Sequence, residues 1–433
     1  MTIEQQLRKG TMTPFQVTAV SICLVINFLD GFDVLAIAFA APSIAVDWSV
    51  APSALGVIFS AGLAGMVIGA LFLSPYADRI GRRPLILICL AIIGAGMLGS
   101  AAAANVKQLV AWRLLTGLGV GGMLASLTTM VAEYSSDRRR QLAISVLQSG
   151  YPVGAIIAGV VSVVLLDAYG WRSIFIVGGV LSLAMIPLVF WRLPESVHFL
   201  LHKRPPEALD KINAILHRMR REAIAELPPE KPHRHAQKTT LVIFTSRYLG
   251  RTLAIWFAYL VTLSAWYFVT NWTPKILVDA GHARDAAISG GVLIAVGGVC
   301  GGLVLGWLSQ RVAVNNIGAT YMVLGIVAMT LFGMLDAALG RMLVVAFLIG
   351  FFVAGAIIGL YAIVPDLYPA EIRNTGTGWA LGIGRLGAVI GPYIAGLLIE
   401  AGWERPQYYF ALSLPLLASL VAVLYLKKVR TRG

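Results

Sequence analysis

Residues 69–79 read GALFLSPYADR, and residues 301–311 read GGLVLGWLSQR. Gly69 falls on Gly301, Leu71 on Leu303, Leu73 on Leu305 and Arg79 on Arg311, a displacement of 232 residues. Two more segments repeat in the same order. EYSSDRRR (133–140) falls on DLYPAEIR (366–373), acidic first and arginine last, and GYPVGAIIAG (150–159) falls on GAVIGPYIAG (387–396), displaced by 233 and 237 residues. Three matches at nearly one displacement divide the chain into two halves of one plan.

What surrounds the repeat decides the solvent. The 433 residues are 58% hydrophobic and 13% charged, whereas a soluble domain is about a quarter charged. Twelve apolar stretches reach the roughly 20 residues a membrane helix needs: 16–41, 52–76, 84–104, 108–133, 140–166, 171–193, 247–277, 286–309, 317–336, 342–365, 375–400 and 405–427. They are numbered here as spans 1 to 12. The expected organisation is an all-α membrane protein: a six-helix bundle over 1–193, a cytoplasmic linker over 194–246 and a second six-helix bundle over 247–433. Two halves of equal orientation imply a pseudo-two-fold carrier with its site near the bilayer midplane. In the linker, Ala208, Ile212, Ile215 and Met219 recur at helical spacing. They predict an amphipathic helix on the membrane surface or packed beneath the bundle.

Charge fixes the expected orientation. Arg8 and Lys9, Arg79, Arg82 and Arg83, Arg138 to Arg140, the linker, and Lys427, Lys428, Arg430 and Arg432 all fall on one side. The other side holds Lys107, Arg172, Lys275, Arg284, Arg341 and Arg405. The positive-inside rule then places both termini in the cytoplasm. It also accounts for the net charge of +13, so no nucleic-acid partner is expected; the bilayer is. The start, MTIEQQLRKGTMTPFQ, lacks the pattern of a cleaved signal, and span 1 is expected to direct insertion. Cys23, Cys89 and Cys300 lie in apolar runs and define no disulfide or metal spacing.

Against this apolar background the ionisable residues stand out. Span 1 contains INFLDGFDVLAIAF (26–39), with Asn27, Asp30 and Asp33 at i, i+3 and i+6 on one helix face. A carboxylate at mid-membrane costs roughly 2.5–3.5 kcal/mol even on lenient scales, so two on one face imply a function. Burial raises a carboxylate's pKa and a nearby cation lowers it. A carboxylate whose exposure alternates between two sides can therefore carry a proton, and that face is expected to point into a cavity. Arg113 in span 4 is the candidate cation. Arg385 lies near the middle of span 11, flanked by Gly384 and Gly387, and the repeat sets it opposite Gln148. Its planar fork suits a carboxylate substrate. Span 7 supplies Trp266, Tyr267, Asn271 and Trp272 ahead of Pro274, where the helix should bend or end. Aromatic faces suit a benzene ring and Asn271 suits a ring hydroxyl. Tyr151, Tyr361 and Trp379 are further candidates for that wall.

The cytoplasmic side reads as a gate. Asp78, Arg79, Gly81, Arg82 and Arg83 make a charged turn after span 2, while Glu133 with Arg138 and Asp366 with Arg373 offer acidic helix ends and basic partners. These charges are expected to pair across the halves when the inside closes. Ser74 and Pro75 stand at the head of the loop, and the second-half loop has Gln310 in place of the acid. The first half therefore carries more of the gate's charge.

PYADRIGRR (75–83) resembles the loop signature between helices 2 and 3 of the major facilitator superfamily, and RLLTGLGVGG (113–122) is similar to its helix 4 signature. PES (194–196) and DLYPAEIRNTGTG (366–378) resemble its acid and sugar branches. With DGFD (30–33), NWTP (271–274) and GIGRLGAVIGP (382–392), the chain looks most like the bacterial aromatic acid:proton symporters. The resemblance implies two pseudo-symmetric six-helix bundles in the bacterial inner membrane, working as a monomer. It implies import of benzoates or hydroxybenzoates, with a proton as coupling ion and no cofactor. It also implies that Asp33 pairs with Arg113, releasing the pair on protonation, while Asp30 shares the proton. Other organic anions and sugars remain as alternatives. A drug:proton antiporter fits less well, since YPVGA (151–155) only partly matches an exporter's helix 5. No nucleophile–base set, phosphate loop or metal cluster suggests an enzyme.

Overall fold

A computed structural model describes residues 11–228, 242–336 and 338–430. Every regular element among them is helical, and twelve helices are long and apolar enough to span a membrane. They are α1 (Pro14–Trp48), α2 (Pro52–Ile80), α3 (Arg82–Ala102), α4 (Val106–Tyr134), α5 (Arg140–Tyr169), α6 (Arg172–Arg192), α7 (Tyr248–Asp279), α8 (Arg284–Leu308), α9 (Val314–Met334), α10 (Leu339–Leu367), α11 (Thr375–Glu400) and α12 (Arg405–Lys428). Each of the twelve apolar spans has become one helix. Pro274 does not end α7, which runs five residues further to Asp279. The side carrying the chain termini is called near, and the opposite side far. Arg8, Lys9 and Arg432, and residues 229–241 of the linker, lie outside the described residues.

The repeated glycines explain why the halves share a plan. A β-carbon on Gly65 or Gly69 would run into the backbone of Leu114 or Leu118 in α4; one on Gly297 or Gly301 would run into Phe347 or Phe351 in α10. The α2–α4 contact is thus reproduced by α8–α10. Gly31 and Gly154 let α1 and α5 meet at the backbones of Tyr151 and Phe28, and Gly387 and Gly391 do the same for α11 on Leu260 and Ser264 of α7. In lipid there is little hydrophobic force between helices, so such small-residue contacts carry the association.

The chain forms two compact units. The first takes the chain up to Val34, Ala64–Ala155 and the stretch from Arg172 into the linker; the second takes Leu35–Leu63, Ile156–Trp171 and the rest. The far ends of α1, α2 and α5 therefore pack with α7, α8 and α11. Gly291 of α8 seats the Phe39 ring, Gly159 of α5 seats Val292, and Gly396 of α11 lies on the backbone of Pro52. Within the first unit the linker supplies two short helices, Val197–Lys203 and Ala208–Arg218. Ala208, Ile212, Ile215, Leu216 and Met219 are buried. The Arg218 guanidinium sits 5.6 Å over the Phe15 ring, which in turn meets Tyr134 edge-on. The amphipathic stretch is thus packed beneath the helix ends.

A Gly31→Ala variant is expected to lose about 1–3 kcal/mol, because the new methyl meets backbone that cannot move aside. Gly306→Ala, where a β-carbon meets nothing within 4 Å, should be neutral or slightly stabilising. Thermal unfolding of the two variants in detergent checks the difference.

Candidate functional site

Asn27, Asp30 and Asp33 share a face of α1 and are 1%, 1% and 0% exposed. That face is turned into the first unit, correcting the expectation that it lines a cavity. Asn27 donates to the Leu147 carbonyl of α5, so it clamps two helices where a substrate ligand was expected. Asp30 lies within electrostatic reach of Cys89 on α3 and of Asp33. The Asp33 carboxylate faces α6: a β-carbon on Gly178 would come within 2.8 Å of its Oδ1, and the Ser182 hydroxyl is its polar neighbour. Neither oxygen of Asp30 accepts a hydrogen bond among the described residues.

Arg113 reaches this place from α4, 3% exposed. Its Nη2 donates to the backbone carbonyl of Asp33 at 2.8 Å and its Nη1 to the Met97 sulfur at 3.3 Å; the guanidinium lies 5.7 Å over the Phe175 ring. The expected carboxylate–guanidinium bridge is therefore not made. Arg113 acts on Asp33 through space, but its anchors are a carbonyl, a thioether and an aromatic face. None of these changes when a carboxylate takes a proton.

The second unit holds the other cation. Arg385 is half-buried on α11. It acts electrostatically on the hydroxyl of Tyr361 from α10, as does Tyr267 from α7. Tyr361 leaves 47% of its surface open. Behind it, 5.6 Å between ring centres, lies Tyr259 of α7, fully buried with a hydroxyl that has no partner among the described residues. One guanidinium and three phenols thus converge.

Other members of the expected wall lie elsewhere. Trp266 is half-buried against Gly298 of α8, since neighbours on a helix point about 100° apart and Tyr267 takes the Tyr361 side. Asn271 turns its amide back to the Tyr267 carbonyl at 2.8 Å. Trp272 is 1% exposed and donates to the Pro392 carbonyl of α11 at 3.0 Å, so its polar edge is committed to packing. Trp379 stacks on Trp256 at 5.7 Å near the near-side end of α11. Gln148 is exposed and Tyr151 half-buried on α5.

On the near side, Gly81 adopts φ +106°, which an L side chain rarely takes, and lets α2 turn into α3. Asp78 and Arg82 pair at 3.0 Å, and Arg79 lies 5.4 Å over the Tyr76 ring. Glu195, from the PES segment, binds the turn. Its Oε1 accepts the backbone N–H groups of Arg82 at 2.9 Å, Arg83 at 3.2 Å and Ser196 at 2.7 Å, and its own carbonyl accepts the Tyr134 hydroxyl at 2.6 Å. Burial pushes the Glu195 carboxyl above the ordinary carboxylate range, against the lowering pull of these donors. The Arg83 guanidinium donates to the Phe190 carbonyl. Glu133 takes the Ser196 hydroxyl at 2.7 Å, while Arg138 stays exposed. Asp366 and Arg373 are both exposed at the near ends of α10 and α11.

A family model described as Major Facilitator Superfamily matches residues 23–341 and 319–433. The chain belongs to that superfamily. It is 36% identical to a gallate transporter of Pseudomonas putida, over 95% of this chain and 92% of the relative. It is 34% identical to the 4-hydroxybenzoate transporter PcaK of Pseudomonas aeruginosa, over 95% and 93%. The superfamily fold is also seen in a bacterial homolog to the human lysosomal transporter Spinster (TM-score 0.72, 15% identity, 98% of this chain and 96% of that one). The xylose transporter XylE from E. coli agrees as well (TM-score 0.72, 16% identity, 96% and 98%). The chain is thus a multi-pass membrane protein, and its superfamily and relatives are transporters rather than enzymes.

Two residues of this superfamily member escaped the sequence reading. Tyr259 looks like one more core aromatic, although the 27-to-259 displacement of 232 sets it on Asn27. Glu195 was visible only as part of PES. Replacing Glu195 with Ala strands three backbone donors and should cost about 1–3 kcal/mol, whereas Glu195→Gln keeps an acceptor and should lose less. Thermal unfolding of both variants checks the role.

Proposed function

We propose that the protein imports an aromatic carboxylate, of the hydroxybenzoate kind, together with a proton across a bacterial inner membrane, as a monomer with both termini in the cytoplasm. The carrying observation is Arg385 beside the open ring of Tyr361, with Tyr267 and Tyr259 at hand. A guanidinium fork can hold both carboxylate oxygens, and aromatic rings can cover a benzene face. The names of the relatives, gallate and 4-hydroxybenzoate transporters, support the same chemical class. Sugars need many amide and hydroxyl partners, which this cluster does not offer.

Proton coupling is assigned to Asp33 and Asp30. Arg113 is fixed without a carboxylate, so a proton can reach or leave Asp33 without freeing the cation. What changes is the net charge of the cluster, hence the preference of the first unit for one state over another. Outward-open protein takes a proton and the aromatic anion, rearranges by alternating access, and releases both inside. The two ligands are coupled because each favours the same transition.

Uptake into proteoliposomes under an inward proton gradient tests this reading, with 4-hydroxybenzoate, benzoate, gentisate, succinate and xylose in parallel. Uphill accumulation of an aromatic acid, abolished by a protonophore, is the expected result; movement of only succinate or xylose overturns the pocket assignment. Asp33→Asn should lose accumulation yet keep exchange, and full uphill transport by that variant excludes Asp33 as proton carrier. Arg385→Lys should weaken binding about ten- to a hundredfold, the loss of a charge-assisted fork. Unchanged affinity would move the anchor elsewhere.

A further inference from the structure

Trp272 sits in the middle of the feature that the site does not use. On the far side, inside the second unit, α2, α7 and α11 are joined by bonds from one helix to the backbone of another. Ser60 Oγ of α2 donates to the Val389 carbonyl of α11 at 2.6 Å. The Trp272 indole N–H of α7 donates to the Pro392 carbonyl of α11 at 3.0 Å. At the end of α11, Glu400 accepts the Ser53 backbone N–H at 3.0 Å, one of the donors in the first turn of α2 that has no intrahelical partner. The Phe59 ring of α2 meets Trp272 edge-on at 5.4 Å. Gly56 and Gly396 keep α2 and α11 at backbone contact: a β-carbon on either would come within 2.9 Å or 2.6 Å of a carbonyl oxygen on the other helix.

We propose that Ser60, Trp272 and Glu400 form a latch that holds the far side closed, and that its release opens that side to substrate. These are positioning residues: none is placed at Arg385 or at the aspartates. The chemistry suits a gate that must open on every cycle. Each bond ends on a backbone group, which is a fixed point on a rigid helix, so the closed register is unique. Each partner is also a neutral group or an exposed carboxylate, which water can satisfy once the helices part. No buried charge is left behind, unlike the breaking of a buried ion pair. Each bond should therefore bias the closed-to-open ratio by only about two- to tenfold.

The proposal rests on the alternating-access reading, and the experiment separates the two. Spin labels at Val46→Cys, on the exposed far end of α1, and Ala401→Cys, on the exposed turn after α11, report far-side separation by pulsed electron resonance without any substrate. Buried Cys23 and Cys89 stay, and Cys300 is replaced by alanine. Ser60→Ala, Trp272→Phe and Glu400→Ala should each add a longer-distance population, two- to tenfold per bond, and Ser60→Thr should restore the short one. In uptake, the same variants should lower the apparent KM for external 4-hydroxybenzoate together with the maximal rate, a split that loss of folded protein does not produce. An unchanged distance distribution in the folded Ser60→Ala, Glu400→Ala double variant overturns the latch, even where Trp272→Phe fails to fold. A shifted distribution in protein that moves no aromatic acid supports the latch and counts against the transport reading alone.

Discussion

Two carboxylates buried among apolar helices, with the Ser182 hydroxyl as the polar neighbour of Asp33, are the constraint around which the first unit is arranged. Such groups are costly in a membrane interior unless they are neutralised or paired. Here the compensating cation does not grip them. Arg113 is tied to the Asp33 carbonyl, to Met97 and to the face of Phe175, and Asn27 ties α1 to α5. The cluster therefore has a rigid frame that does not depend on the charge of its carboxylates. A buried ion pair would instead make the arginine's position depend on the proton, and losing the proton partner would free a long side chain into the core.

The frame is possible because helix backbones approach closely. Gly31 and Gly154 bring α1 against α5, and in the second half Gly387 and Gly391 bring α11 against α7. This equivalence sets what each half can present. Asn27 and Gln148 in the first half fall on Tyr259 and Arg385 in the second. One half uses these places for a helix clamp and an exposed amide; the other uses them for a phenol and a guanidinium. The repeat supplied two copies of a scaffold, and side-chain substitution gave them different chemistry.

Much of this was legible in the sequence, and the reason differs by residue. Spans 1 to 12 were readable because hydropathy over about 20 residues is a strong local signal. Asp30, Asp33, Arg113 and Arg385 were readable because an ionisable side chain in an apolar run is rare. The direction of the Asn27 face was not, because helix rotation is set by neighbours and not by the helix itself. Trp272 shows the same limit: an indole near a helix end reads equally as belt, wall or packing until its N–H partner, the Pro392 carbonyl, is known. The charged near-side turn was half readable. Its charges were visible, but Glu195 acts on backbone N–H groups, and backbone leaves no mark on sequence.

The division of chemistry between the halves bears on coupling. The carboxylates belong to the first unit, and Arg385 with its phenols to the second. Thermodynamic linkage does not require that the proton and the aromatic anion touch; it requires that each bind one state of the protein better than another. On the proposed coupling, a rigid cation beside Asp33 would convert protonation into a change of charge rather than a change of contact, acting on the unit as a whole. The far ends of α1, α2 and α5, held in the second unit, are where such an effect must be transmitted if the far side is to open, since these helices pass from one unit into the other. Coupling strength then depends on how firmly those ends are held. A closure made of a few hydrogen bonds that bury no charge can be biased by ligands of ordinary affinity, whereas a closure made of buried ion pairs would demand a far larger differential binding energy.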